Sequence, residues 1–500
     1  MRSDTRVGPW RRLITSPHTL VILFAAVATT ELAHHEMWLD ELNPWDIARD
    51  AHSLRELFYN MRFEPHPRLW YMCLFALTRV THNPAAMQVL HGVIGTASVA
   101  LLVYYSPFRR RDVWLLAFGY YIVFEFCAIS RGYALGILFA LAACAAAAAP
   151  RPRLALIAAL LALLANTSLF GLILAGSLAV ALLPLWRGRR LRELAPAGMV
   201  ILAGIALSLW AVAPSPESRF GRDWYLHSSL NRLEDVGGLL GPAYVPLPDF
   251  TSPSPWNSSL LVADGRYIPY AGHFTGAIVG ALILLLAIVH LRRQPTLAAA
   301  LIAGTAAILA LIYVEYSGGY RHHGHLFLLL LLMVWLHSSR AGVDRATPRW
   351  FTSVIATQVV AGLFFVALDF ERPFSASMAL AQFFKGEPEL IPIVVAQPDF
   401  LSYAGPPLSG YLGHRIYYAV SGGVVRGSYL WYDEARARGA SEDEIVTEIT
   451  QFARGLGTDV FVVASHWDSR RLGESVAEFP PGTIEGDERG TKVYRFKKPD

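Results

Sequence analysis

Residues 296–316 read TLAAALIAGTAAILALIYVEY, a 21-residue run whose one charge is Glu315. As a helix it extends about 30 Å, which matches the hydrocarbon core of a bilayer. Comparable runs recur on both sides of it. Working outward, spans are predicted near Leu13–Leu32, Ala85–Tyr105, Val113–Ser130, Tyr133–Ala149, Leu154–Ala165 and Leu169–Trp186. Further spans follow at Ala197–Ala213, Gly272–Leu291, Thr296–Tyr316, Gly324–Ser338 and Trp350–Asp369. The Leu154–Ala165 run is short and is expected to extend by a few residues. Arg68–Val80 is apolar but too short to span, and reads as an interfacial helix.

Composition agrees. Of 500 residues, 54% are apolar and only 16% charged, against about a quarter charged in soluble globular chains. A disordered chain cannot be this apolar. Three cysteines exclude a disulfide scaffold, and Cys73, Cys127 and Cys144 all lie in or near apolar runs. The net charge of +4 is small, and no lysine precedes Lys385. A nucleic-acid partner is excluded, since it needs a dense basic stripe.

Arginine clusters set the orientation, because Arg-rich short loops stay in the cytoplasm. The clusters are Arg2–Arg12, Arg109–Arg111, Arg151–Arg153, Arg187–Arg192, Arg292–Arg293 and Arg340–Arg349. All fall inside only if Arg68–Val80 does not cross. That gives eleven spans, the N-terminus inside and the C-terminus outside. Ala26-Val27-Ala28 resembles a signal-peptidase site, but it lies within the apolar run and reads as part of an uncleaved anchor. The expected architecture is a polytopic α-helical membrane protein over residues 1–370, in the plasma (inner) membrane. Its outside loops are 33–84, a short one at Arg131, and 214–271, the last read as turns and an interfacial lid. Residues 371–500 form a small extracytoplasmic α/β domain. Its predicted elements are strands Ile391–Ala396, Val460–Ala464 and Lys492–Phe496 and a helix over Ser441–Gly455. Nothing in this domain reads as catalytic, and His466-Trp467-Asp468 is read as a loop contact.

Ionisable residues at span ends are costly and point to function. The first outside loop carries Asp40-Glu41 directly after Met37-Trp38-Leu39, placing the acids just beyond the membrane boundary. A partly desolvated carboxylate there gains proton affinity and becomes a candidate general base. An exposed acidic pair that merely ends a span is the plainer reading. Glu125 lies inside a span, read as an ion-pair partner of an arginine or a sugar contact. A late cluster, Glu315 to His325, contains Arg321, His322 and His323. Adjacent histidines diverge on a helix, and no cysteine or carboxylate stands at ligand spacing. The cluster is therefore read as a phosphate contact and not as a metal site.

Three motifs in order carry a resemblance: Asp40-Glu41, then His66-Pro67-Arg68-Leu69-Trp70-Tyr71, then Ser130-Arg131-Gly132-Tyr133. Over roughly residues 10–340 the chain resembles the polyprenol-dependent GT-C membrane glycosyltransferases close to family 39, which include protein O-mannosyltransferases and the lipid A aminoarabinose transferase. Arg68 stands where that family carries a second proline. The resemblance implies an inverting enzyme that moves a sugar from a polyprenyl-phosphate carrier to an outer-face acceptor, whether glycan, lipid or protein. It implies Asp40 as base with Glu41 orienting it, and Arg131 as phosphate clamp with Tyr133 beside it. Arg321 and His322 would join at the phosphate, with His66, Glu125 and His323 as further candidates. No cofactor is implied. Two other classes remain in view. One is a transporter or flippase of a lipid-linked substrate, which would show inverted halves with broken helices; no such symmetry is visible. The other is a polyprenyl-pyrophosphate-dependent ligase or polymerase.

Overall fold

A computed structural model describes residues 16–213, 224–251, 256, 259–263, 271–315, 318–341, 347–395, 404–429, 441–465, 469–484 and 490–499. The chain is mainly helical, with one sheet near the C-terminus. His466-Trp467-Asp468 and Arg2–Arg12 lie outside the described residues.

The helical part runs α1 (Pro17–His34), α2 (Leu39–Arg49), α3 (Leu54–Asn60), α4 (Leu69–Thr78), α5 (Ala85–Tyr105) and α6 (Arg110–Ala117). It continues with α7 (Tyr133–Ala148), α8 (Leu154–Ala165), α9 (Leu169–Ala181) and α10 (Leu191–Val212). Two short helices, α11 (Leu230–Gly238) and α12 (Leu240–Tyr244), precede α13 (Ala271–Leu291), α14 (Pro295–Val314), α15 (Tyr320–Ala341) and α16 (Arg349–Glu371). Among the described residues, five helices are long and apolar enough to cross a membrane: Ala85–Tyr105, Leu191–Val212, Phe274–Leu291, Pro295–Val314 and Arg349–Glu371. Helices α4, α7, α8 and α9 are apolar but shorter. At ten residues, α4 is about 15 Å long, half a bilayer core.

Two expectations need correction. Helix α8 does not extend beyond Leu154–Ala165; Asn166 ends it by turning its amide onto the Ala162 and Gly204 carbonyls at 2.8 and 2.9 Å. The run Val113–Ser130 is not one helix either. It ends at Ala117, passes Gly119, and re-forms as a single π-turn over Tyr121–Glu125. Helix α16 causes the break by close approach: a Cβ on Gly119 would stand 3.2 Å from Gln358 Cβ. All of 119–130 is buried, the condition under which irregular backbone is tolerated at membrane depth.

The helix ends segregate. Arg110 donates to the Ser16 carbonyl where α1 begins, and Arg111 reaches Thr352 where α16 begins. Arg340, at the end of α15, donates to Ala181 at the end of α9. The opposite ends of these helices carry His35, Asp369, Ser168 and Arg321. Arginine-rich termini thus occupy one end of the bundle, and the residues described below occupy the other.

The C-terminal part contains α17 (Ser377–Gly386), β1 (Pro392–Val395), α18 (Gly405–Leu412), β2 (Ile416–Val420), β3 (Gly423–Gly427), α19 (Glu442–Leu456), β4 (Val460–Ser465), β5 (Glu474–Phe479) and β6 (Thr491–Phe496). The sheet order is β3-β2-β1-β4-β6-β5, with β1 parallel to both β2 and β4 and the remaining pairs antiparallel. Every residue of β1 is buried, as a strand covered on both faces must be. Val394 faces Leu380 and Leu408 of α17 and α18, while Ile393 faces Ile445 and Ile449 of α19. Ser441 caps α19 by accepting the Glu444 N–H, and three acids fill its first turn. Helix α18 lies between this sheet and α2. The absence of a side chain at Gly410 permits the contact, since a Cβ there would stand 2.9 Å from Leu42.

Candidate active site

Glu41 and His91 build the site's frame. Glu41 is N3 of α2; one carboxylate oxygen reaches back to accept the N-cap Trp38 N–H at 3.2 Å, the Glu half of a capping box. The same oxygen lies 3.2 Å from His35 Nε2, and His35 Nδ1 lies 2.9 Å from Asp369 of α16. The other Glu41 oxygen accepts the Ser130 N–H at 2.7 Å. Glu41 is wholly buried, so it ties α2 to the irregular segment before Arg131 and points away from solvent. His91 of α5 serves that segment from the other side. Its Nδ1 lies 2.8 Å from the Cys127 carbonyl, which requires a proton there, and Nε2 accepts the Arg131 N–H at 3.0 Å.

On this frame Arg131 meets Asp40. Its Nη1 lies 2.5 Å from Asp40 Oδ2 and donates to the Asp40 carbonyl at 3.1 Å. Arg321 approaches the same Oδ2 at 3.4 Å from the start of α15. His66 Nε2 stands 3.4 Å from Arg131 Nη2. The carboxylate therefore sits between two guanidiniums contributed by loops 91 and 281 residues downstream. Both arginines are nearly buried, whereas the Asp40 side chain is 28% exposed.

This geometry corrects one expectation. Burial does raise the proton affinity of Asp40, but Arg131 and then Arg321 outweigh it and hold the carboxyl below the usual Asp range. Asp40 is ionised here and not poised to bind a proton. Burial, reinforced by Arg131, presses His66 down to about 3, so its imidazole is neutral. A carboxyl with raised affinity beside the bridge is Glu64, pushed by burial to about 7 against opposing hydrogen bonds from Tyr71 and Asn43.

Aromatic rings line the arginines. The Arg321 guanidinium lies 4.4 Å from the Trp256 ring centroid and 5.3 Å from that of Trp38. Trp256 comes from the long loop read as a lid, and its indole N–H donates to Glu125 at 3.1 Å. Tyr120 donates to the same carboxylate at 2.6 Å. Glu125 thus receives neutral donors where an arginine partner was expected. Tyr133 has its ring 5.8 Å from Arg131 and packs edge-on to His322 and His325. His322 accepts the Gly319 N–H at 3.1 Å, and His323 sits edge-on to Tyr320. Beside them opens a cavity of about 80 Å³ lined by Pro65, His66, Tyr133, Phe170, Glu315 and His322. Among the described residues no group of three or more His, Cys, Asp or Glu side chains is placed to hold a metal ion.

The structure therefore brings Asp40, Arg131, Arg321 and His66 into direct contact, with Tyr133, His322 and Glu125 around them. Glu41 is in the frame and not at the opening. Sequence reading missed His91 and Trp256, and gave Glu64 and Tyr71 no role. Glu64 is an ionisable residue of the first outside loop and Tyr71 closes the His66 motif, whereas His91 and Trp256 carried no local signal.

No family model matches this chain, and neither does any curated protein or solved structure.

Proposed function

We propose that the protein is a membrane glycosyltransferase of GT-C type. It moves a sugar from a polyprenyl-phosphate carrier to an acceptor on the outer face of the membrane, with inversion. The observation that carries this reading is the Arg131–Asp40–Arg321 bridge. It joins one carboxylate to two guanidiniums at the end of an apolar bundle, the depth at which a lipid phosphate lies when its tail is in the bilayer. In this reading the chain crosses eleven times, the arginine-rich ends are cytoplasmic, and the site and C-terminal domain are extracytoplasmic.

The bridge suggests an order of events. The donor's phosphodiester, a monoanion, competes with Asp40 for the guanidiniums, which bind its two free oxygens in a fork geometry. Asp40 loses its counter-charges while remaining half-buried, so its proton affinity rises. It can then take the proton of an acceptor hydroxyl as that oxygen bonds to the anomeric carbon. The bond from that carbon to the phosphate oxygen breaks, and Arg131 and Arg321 hold the charge on the departing polyprenyl phosphate. The base is thus switched on by donor binding, which limits idle hydrolysis.

The test is release of polyprenyl phosphate by the purified full chain, supplied with a polyprenyl-phosphate sugar and a membrane-extract acceptor pool. Transfer should fall at least ~10²-fold in Asp40→Asn. Unchanged transfer in that variant, or movement of the lipid across vesicles without bond cleavage, would overturn the reading in favour of a carrier. Activity only with a pyrophosphate-linked donor would move it to the ligase or polymerase class.

A further inference from the structure

Two residues beyond His66 the chain turns a second arginine the other way. Arg68 faces a groove of about 390 Å³ between α4, α8 and α10, lined by Met72, Ala162, Leu163, Ala203, Leu207 and Trp210. Its guanidinium stacks 3.9 Å from the Trp210 ring centroid and 4.5 Å from that of Phe58. Its Nη1 is buried without a hydrogen-bond partner, and no carboxylate pairs with Arg68 among the described residues. Arg68 is half-buried, but this one nitrogen is not reached by water, and an unpaired buried donor is costly; the aromatic faces offset only part of that cost. The groove floor is built for close packing: Asn166 pins α8 to α10 through the Ala162 and Gly204 carbonyls. Small residues at Ala162 and Ala203 leave the space above it open.

We propose that this groove is a second lipid site, taking an amphiphile whose hydrocarbon chain lies along α10 and whose anionic headgroup pairs with Arg68. Two features choose the occupant. Charge complementarity demands an anion at one end and apolar matter along the rest. Helix α10 is also the least buried of the five membrane-length helices, at 17% against 28–44% for the others, so the groove opens where the neighbouring molecules are lipid. The site is separate from the Asp40 bridge. His66 and Arg68 stand on opposite sides of Pro67, one toward Arg131 and one toward the groove.

The test is native mass spectrometry of the full chain, delipidated in detergent and titrated with phosphatidylglycerol or phosphatidylcholine of identical acyl chains. The wild type should hold phosphatidylglycerol about ten-fold more tightly, the effect of one charge-assisted hydrogen bond. Arg68→Gln should lose that preference while still retaining either lipid through its chains. Ala203→Trp, at an exposed position that tolerates bulk, should lose both. Equal retention of the two lipids by the wild type, or an undiminished preference in Arg68→Gln, would overturn the proposal. Displacement of the lipid by millimolar inorganic phosphate would instead make Arg68 a free-phosphate site. A delipidated dimer that Ala203→Trp dissociates would make the groove a protein interface. Either result also overturns it.

Discussion

Arg49 of α2 and Ser409 of α18 are joined twice: the guanidinium donates to the Ser409 carbonyl at 3.0 Å and to its hydroxyl at 3.1 Å. The same side chain lies 2.9 Å from Asp46 and 2.8 Å from Asp50, and only 4% of Arg49 is exposed. Tyr411 adds a bond to the Met37 carbonyl at 3.2 Å. The C-terminal part thus grips α2 at both ends of the helix that presents Asp40. Burial holds the Asp46 carboxyl well above the usual Asp range even beside Arg49, so Arg49→Met should leave it protonated and act through the two lost Ser409 bonds, at a cost of about 1–3 kcal/mol. The variant should melt earlier, and limited proteolysis should release residues beyond 372. Arg49→Lys should resemble it, because an ammonium cannot reproduce the fork that serves two acids and Ser409 together. Wild-type melting and protease resistance in both variants would make this contact incidental.

Glu64 gives a pH signature. Its folded value of about 7 lies above the unfolded value of about 4.3. Between those limits the folded chain holds more protons than the unfolded one, so the contribution is fully present below about pH 4.3 and is lost as pH rises through about 7. The melting temperature of the wild type should carry a component that falls across this window. Glu64→Gln, which keeps the Tyr71 and Asn43 contacts, should flatten it. An identical pH profile in the variant would place the titration elsewhere.

His91 is a positioning residue whose effect should separate from simple stability. His91→Leu leaves the Cys127 carbonyl and the Arg131 N–H unmet in a buried segment, at about 1–3 kcal/mol. The Arg131 side chain should then be misplaced, lowering kcat/KM for the lipid donor more than the folded yield. Gln carries both a donor and an acceptor, so His91→Gln should recover part of the loss. Equal turnover per folded molecule in all three proteins would show that the segment holds itself.

The runs that make α5, α10, α13, α14 and α16 were legible because hydrophobicity over some 20 residues is a local property. Strand β1, the helix capped by Ser441, and strands β4 and β6 were legible for the same reason. Strands β2, β3 and β5 were not. The segments of β3 and β5 mix Gly and Glu with half-exposed apolar residues, and only pairing to a neighbour makes them strands; β2, Ile416–Val420, is mostly buried but only five residues long, too short a run to signal a strand by itself. The break in Val113–Ser130 was hidden because its causes are tertiary: α16 against Gly119, Glu41 on Ser130, His91 on Cys127. The site was half legible. Motifs named Asp40, His66, Arg131 and Arg321, but the charge state of Asp40 follows from two arginines that the chain delivers from 91 and 281 residues away.

That charge state allows a final test. Arg131 is the largest influence lowering the Asp40 pKa, and Arg321, at 3.4 Å, is the next. If Asp40 must be ionised to take the acceptor proton, the acid limb of kcat/KM for free enzyme reports its pKa. Removing Arg131 takes away the largest influence opposing burial and raises that pKa, with Arg321 still opposing it, so the acid limb should move to higher pH. Arg131→Ala should therefore lose more activity at pH 5 than at pH 8. Superimposed on this is a pH-independent loss of about ten- to hundred-fold, from one charged hydrogen bond of roughly 1.5–3 kcal/mol to the leaving phosphate. Arg131→Lys should return the acid limb most of the way, since it restores charge. It should recover the plateau only in part, since it lacks the planar fork. A uniform loss with an unmoved acid limb would mean that Asp40 is not the titrating base. A moved limb with an unchanged plateau would mean that the phosphate is held by Arg321 alone.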